Sequence, residues 1–470
     1  MFQVLVIFTL FWTALTWGFQ QGQITGMISA LQKHDESITF NEGQIFLIVA
    51  LPSLCCVFGI LYVAVLDEKL GRRWCLIAGC TPSFVNWIIL YYASTFTSFV
   101  LSRFLAGISS GSLWLLTMSA TTEYTLTKSR GLFLSIVLVL LPAFGTALGH
   151  ILGILYHWRT LALVGIITTA ITVIMPYFCV ESPHWLATRG RFEECERSFR
   201  KLHGSDASTE HELQLLIKLE YNKQQAADKM NSKHVLQKLM LAAKEKYFWK
   251  LMFMSIVVYI YYSAAGKVVF SNLATVMLGE ITGTSDVLIY TLVVDGFIFI
   301  GTCISCVLIK KMPIRVLLFS SGLAANVILI TLSACLYFKS TEGYFQWINV
   351  ILLALYFIVT NAGPYPVMEV LLGEMFPVEL KLYCFLLSSP IGVIGTFVCI
   401  ITLPGIVGVM GYYGLFLLNS AVMFGCLAYL YVYMPETKGR TMQEIEIYFK
   451  TNSFEIDKIL NTNEQNKVLI

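Results

Sequence analysis

Residues 67–73 read DEKLGRR and separate two apolar stretches, residues 42–66 and 73–93. Each stretch has the length of about 20 residues that an α-helix needs to cross a lipid bilayer. A connection this short leaves room only for a tight turn, and Gly71 is the residue that permits one. The sequence therefore predicts two membrane-crossing helices that meet at one membrane face.

The same alternation of apolar stretches and polar breaks continues along the 470-residue chain, in which 57% of residues are hydrophobic and 13% are charged. These proportions exclude the class of soluble globular proteins. We therefore expect an all-α membrane protein. Its membrane-crossing helices are predicted at residues 4–30, 42–66, 73–93, 96–118, 131–154, 158–178, 249–273, 286–309, 315–337, 345–371, 382–403 and 411–433.

The distribution of Lys and Arg predicts the orientation of these helices, because cytoplasmic loops retain positive charge. With both termini in the cytoplasm, few basic residues fall elsewhere in the chain. Those within helices or outside the cell are Lys33, Arg103, Arg159, Lys267 and Lys339. We therefore expect both termini on the cytoplasmic side.

The sequence shows no grouping of nucleophiles, metal ligands or phosphate-binding loops. Its twelve Cys residues lie mostly within apolar stretches, where a thiol behaves as a small apolar group. We expect no disulfide framework, enzyme activity, cofactor or metal, and no nucleic-acid partner.

A polar segment at residues 180–248 separates six apolar stretches from six more, and the two flanking halves repeat each other. Glu123 and Arg130 lie seven residues apart, as do Glu374 and Lys381, and the second pair follows the first by 251 residues. Such internal repeats are typical of membrane folds built from two related halves. We predict an N-terminal six-helix bundle at 1–179, a cytoplasmic helical linker at 180–248, a C-terminal six-helix bundle at 249–434 and a cytoplasmic tail at 435–470.

Charged residues at one membrane face form a second pattern. Arg72 and Arg73 follow the turn at Gly71, and Glu123 and Glu181 are predicted at the same face. Arg–carboxylate pairs can be bidentate, and they strengthen where water is partly excluded. The residues predict either a cluster that holds helix ends together, or only the positive charge that fixes orientation.

Five motifs, in order over nearly the whole chain, resemble the sugar porter family of the major facilitator superfamily. They are residues 67–73, Arg103 with Gly107, Glu123 with Arg130, residues 181–186 (ESPHWL) and residues 435–439 (PETKG). Among members, the chain looks most like insect facilitated trehalose transporters and, more distantly, facilitative glucose transporters. The resemblance implies a major facilitator fold, in which two six-helix bundles rock about a central site and expose it to each side in turn.

The resemblance also implies that charged cytoplasmic clusters latch the state open to the outside. The residues predicted to take part in gating are Asp67, Gly71, Arg72, Arg73, Arg103, Glu123, Arg130, Glu181, Arg315, Glu374, Lys381 and Glu436. In the second half the loop that corresponds to residues 67–73 reads KKMPIR at 310–315, without the acidic residue or the Gly. This departure predicts a weaker C-terminal latch.

The predicted central site differs from that of sugar porters, which carry paired Gln followed by Ser-Gly-Ile-Asn where residues 260–266 here read IYYSAAG. Charged residues, namely Lys267, Asp295 and Glu369, stand within apolar stretches instead. A lone charge at that depth costs at least about 2.5 kcal/mol, so we expect these side chains to face the bundle interior. They predict either a buried ion pair, such as Lys267 with Glu369, or a polar contact with substrate; alternatively, Lys267 reaches the membrane surface.

Polar residues of the first predicted helix, Gln20, Gln23 and Thr25, are candidates for the central site. They are equally compatible with hydrogen bonds between helices. By resemblance, Ile24 occupies the position at which proton-coupled sugar porters carry Asp. This difference favours facilitated diffusion over proton coupling.

Aromatic residues and helix breakers complete the predicted site. Tyr261, Tyr262 and Tyr365 are candidates for aromatic walls with a hydroxyl group. The stretch 363–366 (GPYP) predicts an interruption of the tenth helix, and Pro390 one of the eleventh.

The resemblance implies a facilitative carrier that moves a sugar, a hexose or trehalose, across the plasma membrane by alternating access. Its expected partners are a small-molecule solute and the lipid bilayer. Two alternatives stay open: a sensor or receptor that has kept the scaffold without transport, and a transporter of a charged or amphipathic solute. Asp295 and Glu369 are the candidate coupling groups if transport uses protons.

Overall fold

The computed structural model describes residues 2–32, 40–126, 130–204, 206, 209–210, 213–214, 216–218, 220–221, 244, 246–283, 288–338, 343–376, 381–438 and 448–449. These residues form helices joined by short turns, and no strand occurs among them. The all-α fold predicted from the sequence is confirmed.

The first half contains seven α-helices before the polar segment and two more at its start. They are α1 (Phe2–Gln32), α2 (Glu42–Leu70), α3 (Arg72–Tyr91), α4 (Phe96–Tyr124), α5 (Arg130–Ser135), α6 (Leu141–Leu155), α7 (Trp158–Ile174), α8 (Pro183–Thr188) and α9 (Phe192–His203). A π-helical turn, Ile136–Leu140, joins α5 to α6, so that the two cross the membrane as one rod. The turn precedes Pro142, which lacks the N–H that a regular helix requires there.

The second half contains seven α-helices. They are α10 (Lys246–Ala264), α11 (Lys267–Thr282), α12 (Leu288–Lys311), α13 (Ile314–Tyr337), α14 (Gly343–Ala362), α15 (Pro364–Met375) and α16 (Lys381–Tyr433). Helices α10 and α11 form one broken crossing, and α14 and α15 form another. The predicted break at Gly363 is therefore present, whereas α16 continues through Pro390 without one.

Among the described residues, eleven helical segments are long and apolar enough to cross a membrane. The last, residues 387–433, contains 47 residues and would be about 70 Å long if straight, whereas a bilayer core is about 30 Å thick. Gly411 interrupts it with φ 66° and ψ 178°, a conformation that is nearly restricted to Gly. The segment therefore crosses twice, and the described residues make the twelve crossings that the sequence predicts.

The two membrane faces are distinguished by the polar segment. Helices α8 and α9 follow α7 at the face where Gly71 joins α2 to α3. We call this the linker face and the other the opposite face. Because the crossings alternate, α1 runs from the linker face, and so does the rod formed by α5 and α6.

Close backbone contact joins α1 to α6 in the first half. A Cβ atom added to Gly22 would lie 2.1 Å from the carbonyl oxygen of Thr146, and one added to Gly26 would lie 2.3 Å from that of Gly153. Glycines recur every fourth residue on both helices, which places them along one face. They are Gly18, Gly22 and Gly26 on α1, and Gly145, Gly149 and Gly153 on α6.

The second half contains a cavity between its helices. It has a volume of about 420 Å³ and lies between α10, α14 and the parts of α16 before and after Gly411, and apolar side chains form most of its wall. The two halves thus share an architecture but differ in packing density.

The halves pack against each other through helix pairs that contain one member of each half. The pairs are α1 with α11, α2 with α16, and α6 with α12. The central cavity described next lies between two of these pairs.

Candidate functional site

A cavity of about 90 Å³ lies between the two halves, at the junction of α1, α6, α10, α11 and α12. Most of its wall is apolar, but several polar or aromatic side chains reach it. They are Trp17, Gln21, Thr146, Tyr262, Lys267 and Asp295. A mostly apolar cavity with a few polar groups is the usual form of a small-molecule site.

The break between α10 and α11 forms one wall of this central cavity. Gly266 adopts the left-handed conformation there, with φ 75°, which favours glycine. The break frees backbone groups, and tyrosines from the second broken crossing satisfy them: the Tyr365 hydroxyl accepts from the Lys267 N–H at 2.8 Å, and the Tyr356 hydroxyl donates to the Ala265 carbonyl at 2.9 Å. Irregular backbone at membrane depth is tolerated where such partners exist.

Lys267 and two tyrosines form an aromatic and cationic group beside the cavity. The Lys267 ammonium lies 5.1 Å from the ring centroid of Tyr365, and the Tyr365 and Tyr262 rings meet edge to face at 4.9 Å. Glu369 interacts electrostatically with Lys267 and with the Tyr262 hydroxyl. Lys267 and Glu369 attract each other electrostatically. Among the described residues, however, the two side chains do not form the direct buried ion pair considered from the sequence.

Asp295 pairs instead with a histidine of the other half. His150 Nδ1 lies 2.8 Å from Asp295 Oδ2, and both side chains are buried. His150 is not among the site residues predicted from the sequence. A lone histidine within an apolar stretch is the signal that was available, because titratable residues at membrane depth normally have partners.

Arg103 has its partner in α1. The guanidinium is fully buried, and the Gln23 amide, with its oxygen turned toward Arg103, accepts from Nη1 at 3.0 Å and from Nη2 at 3.3 Å. By resemblance, Ile24 occupies the carboxylate position of proton-coupled sugar porters. The structure places Gln23 against Arg103, and Ile24 packs in the apolar core, so the facing residue is an amide.

The predicted cluster at the linker face is present in the first half. Arg72 Nε donates to both carboxylate oxygens of Glu123, at 2.9 and 2.8 Å, Arg72 Nη2 donates to Oε1, and the Ser182 hydroxyl donates to Oε2 at 2.6 Å. Glu181 Oε1 accepts from the N–H groups of Arg72 and Arg73 at 2.8 and 3.3 Å. A carboxylate at a helix N-terminus satisfies free N–H groups and the helix dipole, so Glu181 fixes the start of α3.

Among its described residues, the second half repeats the capping part of this cluster. Glu436 accepts from the N–H groups of Ile314 and Arg315, each at 3.0 Å, and thereby caps α13 as Glu181 caps α3. Arg315 Nη2 donates to the Tyr431 carbonyl at 2.7 Å. Because Ile314 begins α13 where Arg72 begins α3, the second half carries no guanidinium at that position.

Four predicted gating side chains lie outside the described part of the structure. They are those of Asp67, Arg130, Glu374 and Lys381. Their proposed roles stay predictions.

The sequence profile of the family described as "Sugar (and other) transporter" matches residues 6–449. The chain belongs to this family. It is a family of multi-pass membrane transporters rather than enzymes, as the sequence analysis expected.

Curated relatives of this family member include facilitated trehalose transporters Tret1. The protein from Drosophila willistoni is 26% identical over 395 residues, which cover 81% of this chain and 43% of the relative. The protein from Culex quinquefasciatus is 25% identical over 396 residues, covering 81% of this chain and 72% of the relative. The chain thus spans less than half the length of the first relative.

Solved structures of the proton:xylose symporter XylE share the fold. The structure bound to 6-bromo-6-deoxy-D-glucose matches with a TM-score of 0.76 at 17% identity, covering 95% of this chain and 99% of XylE. An inward-open XylE structure matches with a TM-score of 0.73. The major facilitator fold predicted for this chain is confirmed.

The predicted substrate residues of this transporter-family chain fall into two groups, according to whether they lie at the central cavity. Tyr262, Lys267 and Asp295 line it, and Tyr365 and Glu369 contact or act on those residues. The other group consists of Gln20, Gln23, Thr25 and Tyr261, which are buried away from its wall.

Gln20 shows why the second group lies elsewhere. Its amide donates to the Ala106 carbonyl at 3.0 Å and accepts from Ser83 at 2.7 Å, so it joins helices within the first half. Trp17 and Gln21, one turn apart on α1, face the cavity instead. The sequence shows that Trp17 and Gln21 are four residues apart and therefore share one face of α1. It does not show toward which part of the molecule that face points.

Proposed function

We propose that the protein is a facilitative transporter that moves a sugar, a hexose or trehalose, across the plasma membrane by alternating access. The observation that carries the proposal is the cavity between the two halves, which polar and aromatic side chains reach. The family match and the trehalose-transporting relatives support it.

The chemistry of the cavity fits a neutral polyhydroxyl solute. Trp17 and Tyr262 offer apolar ring surface, while Gln21, Lys267 and Asp295 offer hydrogen-bond donors and acceptors. Sugars combine apolar C–H faces with hydroxyl edges, and aromatic side chains with a polar group suit both.

The Gln23–Arg103 contact supports facilitated rather than proton-coupled transport. An amide holds the buried guanidinium by hydrogen bonds but takes up and releases no proton near neutral pH. This arrangement favours transport driven by the solute gradient alone, with Asp295 and Glu369 as the candidate coupling groups if transport uses protons.

The linker face is proposed to be cytoplasmic, with both termini on that side. Basic residues concentrate in the segments that follow Gly71 and Glu181, as cytoplasmic loops require. We propose the same division as the sequence suggests: six-helix bundles at 1–179 and 249–434, a cytoplasmic linker at 180–248 and a cytoplasmic tail at 435–470.

Uptake by the purified full-length chain in liposomes tests the proposal. Vesicles preloaded with unlabelled glucose or trehalose should take up the corresponding radiolabelled sugar faster than protein-free vesicles. The Tyr262→Phe variant removes a hydroxyl from the cavity and should raise the half-saturating sugar concentration about tenfold, the cost of one lost hydrogen bond of about 1.4 kcal/mol. Tyr92→Phe is the matched control, since Tyr92 is 76% exposed at the end of α3. Absence of flux for every sugar in a broad panel would refute sugar transport.

A charged solute is the second candidate, because Lys267 and Asp295 both reach the cavity wall. The same vesicles therefore receive an amino sugar and a uronic acid. Preferred uptake of either would replace the neutral-sugar assignment. Saturable binding without any flux would identify the protein as a sensor that retains the transporter scaffold.

A further inference from the structure

The His150–Asp295 hydrogen bond joins the two halves of the molecule. His150 belongs to α6 and Asp295 to α12, and their side chains are 0% and 6% exposed. This contact is a buried polar connection between the two halves.

The pair lies between the central cavity and the opposite face. His150 is five residues from the end of α6 at Leu155, and Asp295 is seven residues from the start of α12 at Leu288. These intervals correspond to about 7 and 10 Å of helix. The α6 residue Thr146, which lines the cavity, lies one turn deeper than His150.

An aromatic ring packs against the pair on the same side of the cavity. His150 meets the Phe270 ring edge to face at 6.4 Å, and Phe270 is fully buried. The pair thus lies in a packed region between the cavity and the opposite face. If the halves separate at this face, as alternating access requires, that contact must break.

Asp295 also belongs to the cavity wall. Oδ2 is bound to His150, and the residue lines the cavity, so its second oxygen can accept a hydrogen bond from a solute held there. A carboxylate can use both oxygens at once. One side chain therefore borders both the cavity and the contact between the halves.

We propose that Asp295 couples solute binding to closure of the opposite face, accepting from a solute hydroxyl through Oδ1 while Oδ2 holds His150. His150 acts as a positioning residue, because it orients the carboxylate without reaching the cavity wall. The proposal rests on the proposed transport function. Since coupling between two binding events is reciprocal, a solute that binds Asp295 better in the closed state favours that state by the same factor.

Protonation of His150 provides a way to bias the gate. The titratable or charged groups around it are Asp295 on α12, Lys267 on α11, Tyr262 on α10 and Glu369 on α15, which acts on Lys267; α1 adds none to the cavity wall. An imidazolium is attracted to a carboxylate more strongly than a neutral imidazole is. Acid should therefore favour the closed state.

Hydrogen–deuterium exchange of the full-length chain in lipid nanodiscs tests the gate without any sugar. Peptides that cover residues 147–155 and 288–295 are compared at pH 7.5 and 5.5, with labelling times corrected for intrinsic exchange. Because protonation of an imidazole strengthens its attraction to a carboxylate, wild-type exchange should slow at least threefold in acid. His150→Gln keeps a hydrogen-bond donor and should lose the pH response, while His150→Ala should exchange fast at both pH values. His157→Gln, at the same face, is the control and should behave as wild type.

Two measurements separate this proposal from the proposed function. They are sugar transport in liposomes and hydrogen–deuterium exchange in the presence of added sugar. Each sugar that is transported should slow exchange of the same peptides in wild type, and much less in Asp295→Asn. A pH response that persists in His150→Gln would overturn the gate, and a transported sugar that leaves exchange unchanged would overturn the coupling by Asp295. If His150→Ala does not purify as a monodisperse protein, wild type and His150→Gln still decide. Absence of all sugar flux together with an intact acid response would count against sugar transport and not against the gate.

Discussion

The two halves repeat one architecture but differ in how tightly it is packed. In the first half, Gly22 and Gly26 bring the α1 backbone against α6, whereas in the second half a cavity of about 420 Å³ separates α10 from its neighbours. The second half also contains both broken crossings, at Gly266 and Gly363. Close helix packing is thus found in the first half, and both broken crossings belong to the second.

The linker-face clusters show the same difference in electrostatic terms. Glu181 and Glu436 cap corresponding helices, so the capping function is duplicated. The bidentate Arg72–Glu123 pair is found in the first half, and Ile314 stands at the position of Arg72 in the second. Local helix capping is therefore shared, and among the described side chains the Arg72–Glu123 ion pair is found in the first half.

The largest expected effect comes from removing the ion pair. Arg72→Ala leaves the Glu123 carboxylate largely buried without its guanidinium, and we expect the free energy of unfolding to fall by about 3 kcal/mol. In the second half, Arg315→Ala removes one hydrogen bond to a backbone carbonyl and should cost about 1 kcal/mol. Unfolding of the purified variants in a titration with SDS, followed by tryptophan fluorescence, measures both. Equal losses would show that the clusters are equivalent.

A glycine substitution in each half probes the packing difference. Gly22→Ala places a Cβ 2.1 Å from the Thr146 carbonyl oxygen and should destabilise the protein by about 1–3 kcal/mol. Gly405→Ala enters open space and should stabilise it by about 0.4–1 kcal/mol. The midpoint of thermal unfolding in detergent should move in opposite directions, and a shift of the same sign for both would contradict the comparison.

Filling the cavity of the second half should be tolerated. Cys399 lines that cavity, so Cys399→Leu buries additional apolar surface in existing space and should stabilise the fold by about 1 kcal/mol. Cys80 is fully buried in α3, and Cys80→Leu is the matched control, with an expected loss of about 1–3 kcal/mol from overpacking. We also expect slower sugar exchange for Cys399→Leu if the cavity gives the second half its freedom to bend. Unchanged exchange with raised stability would show that the cavity is unrelated to motion.

The smallest expected effect is the pH dependence of the Glu181 contact. Burial raises the pKa of the Glu181 carboxyl above its ordinary value, although backbone N–H groups oppose the shift. Between the ordinary pKa of about 4.3 and the raised one, the folded chain binds more protons than the unfolded chain, so stability from this group falls as pH rises. Glu181→Gln should remove this contribution and make the unfolding midpoint less dependent on pH from 4.5 to 7.5. An identical pH profile in the variant would exclude Glu181 as the source.

The sequence by itself determined the features that depend on local composition. The twelve crossings follow from apolar length, the break at Gly363 follows from glycine before proline, and the turn at Gly71 follows from its position between two apolar stretches. The linker-face cluster was also predictable, because Arg72, Glu123 and Glu181 lie at helix ends whose membrane face is fixed by counting crossings.

Only the tertiary structure decided which polar side chains within the helices meet. Gln20 and Gln21 are adjacent, yet one joins helices inside the first half and the other reaches the central cavity. Likewise, Asp295 has His150 of the other half as its partner, and Arg103 has Gln23. In a helix that is apolar on every side, hydropathy does not show which face is buried against protein, so these partners depend on the rotation and packing of whole helices.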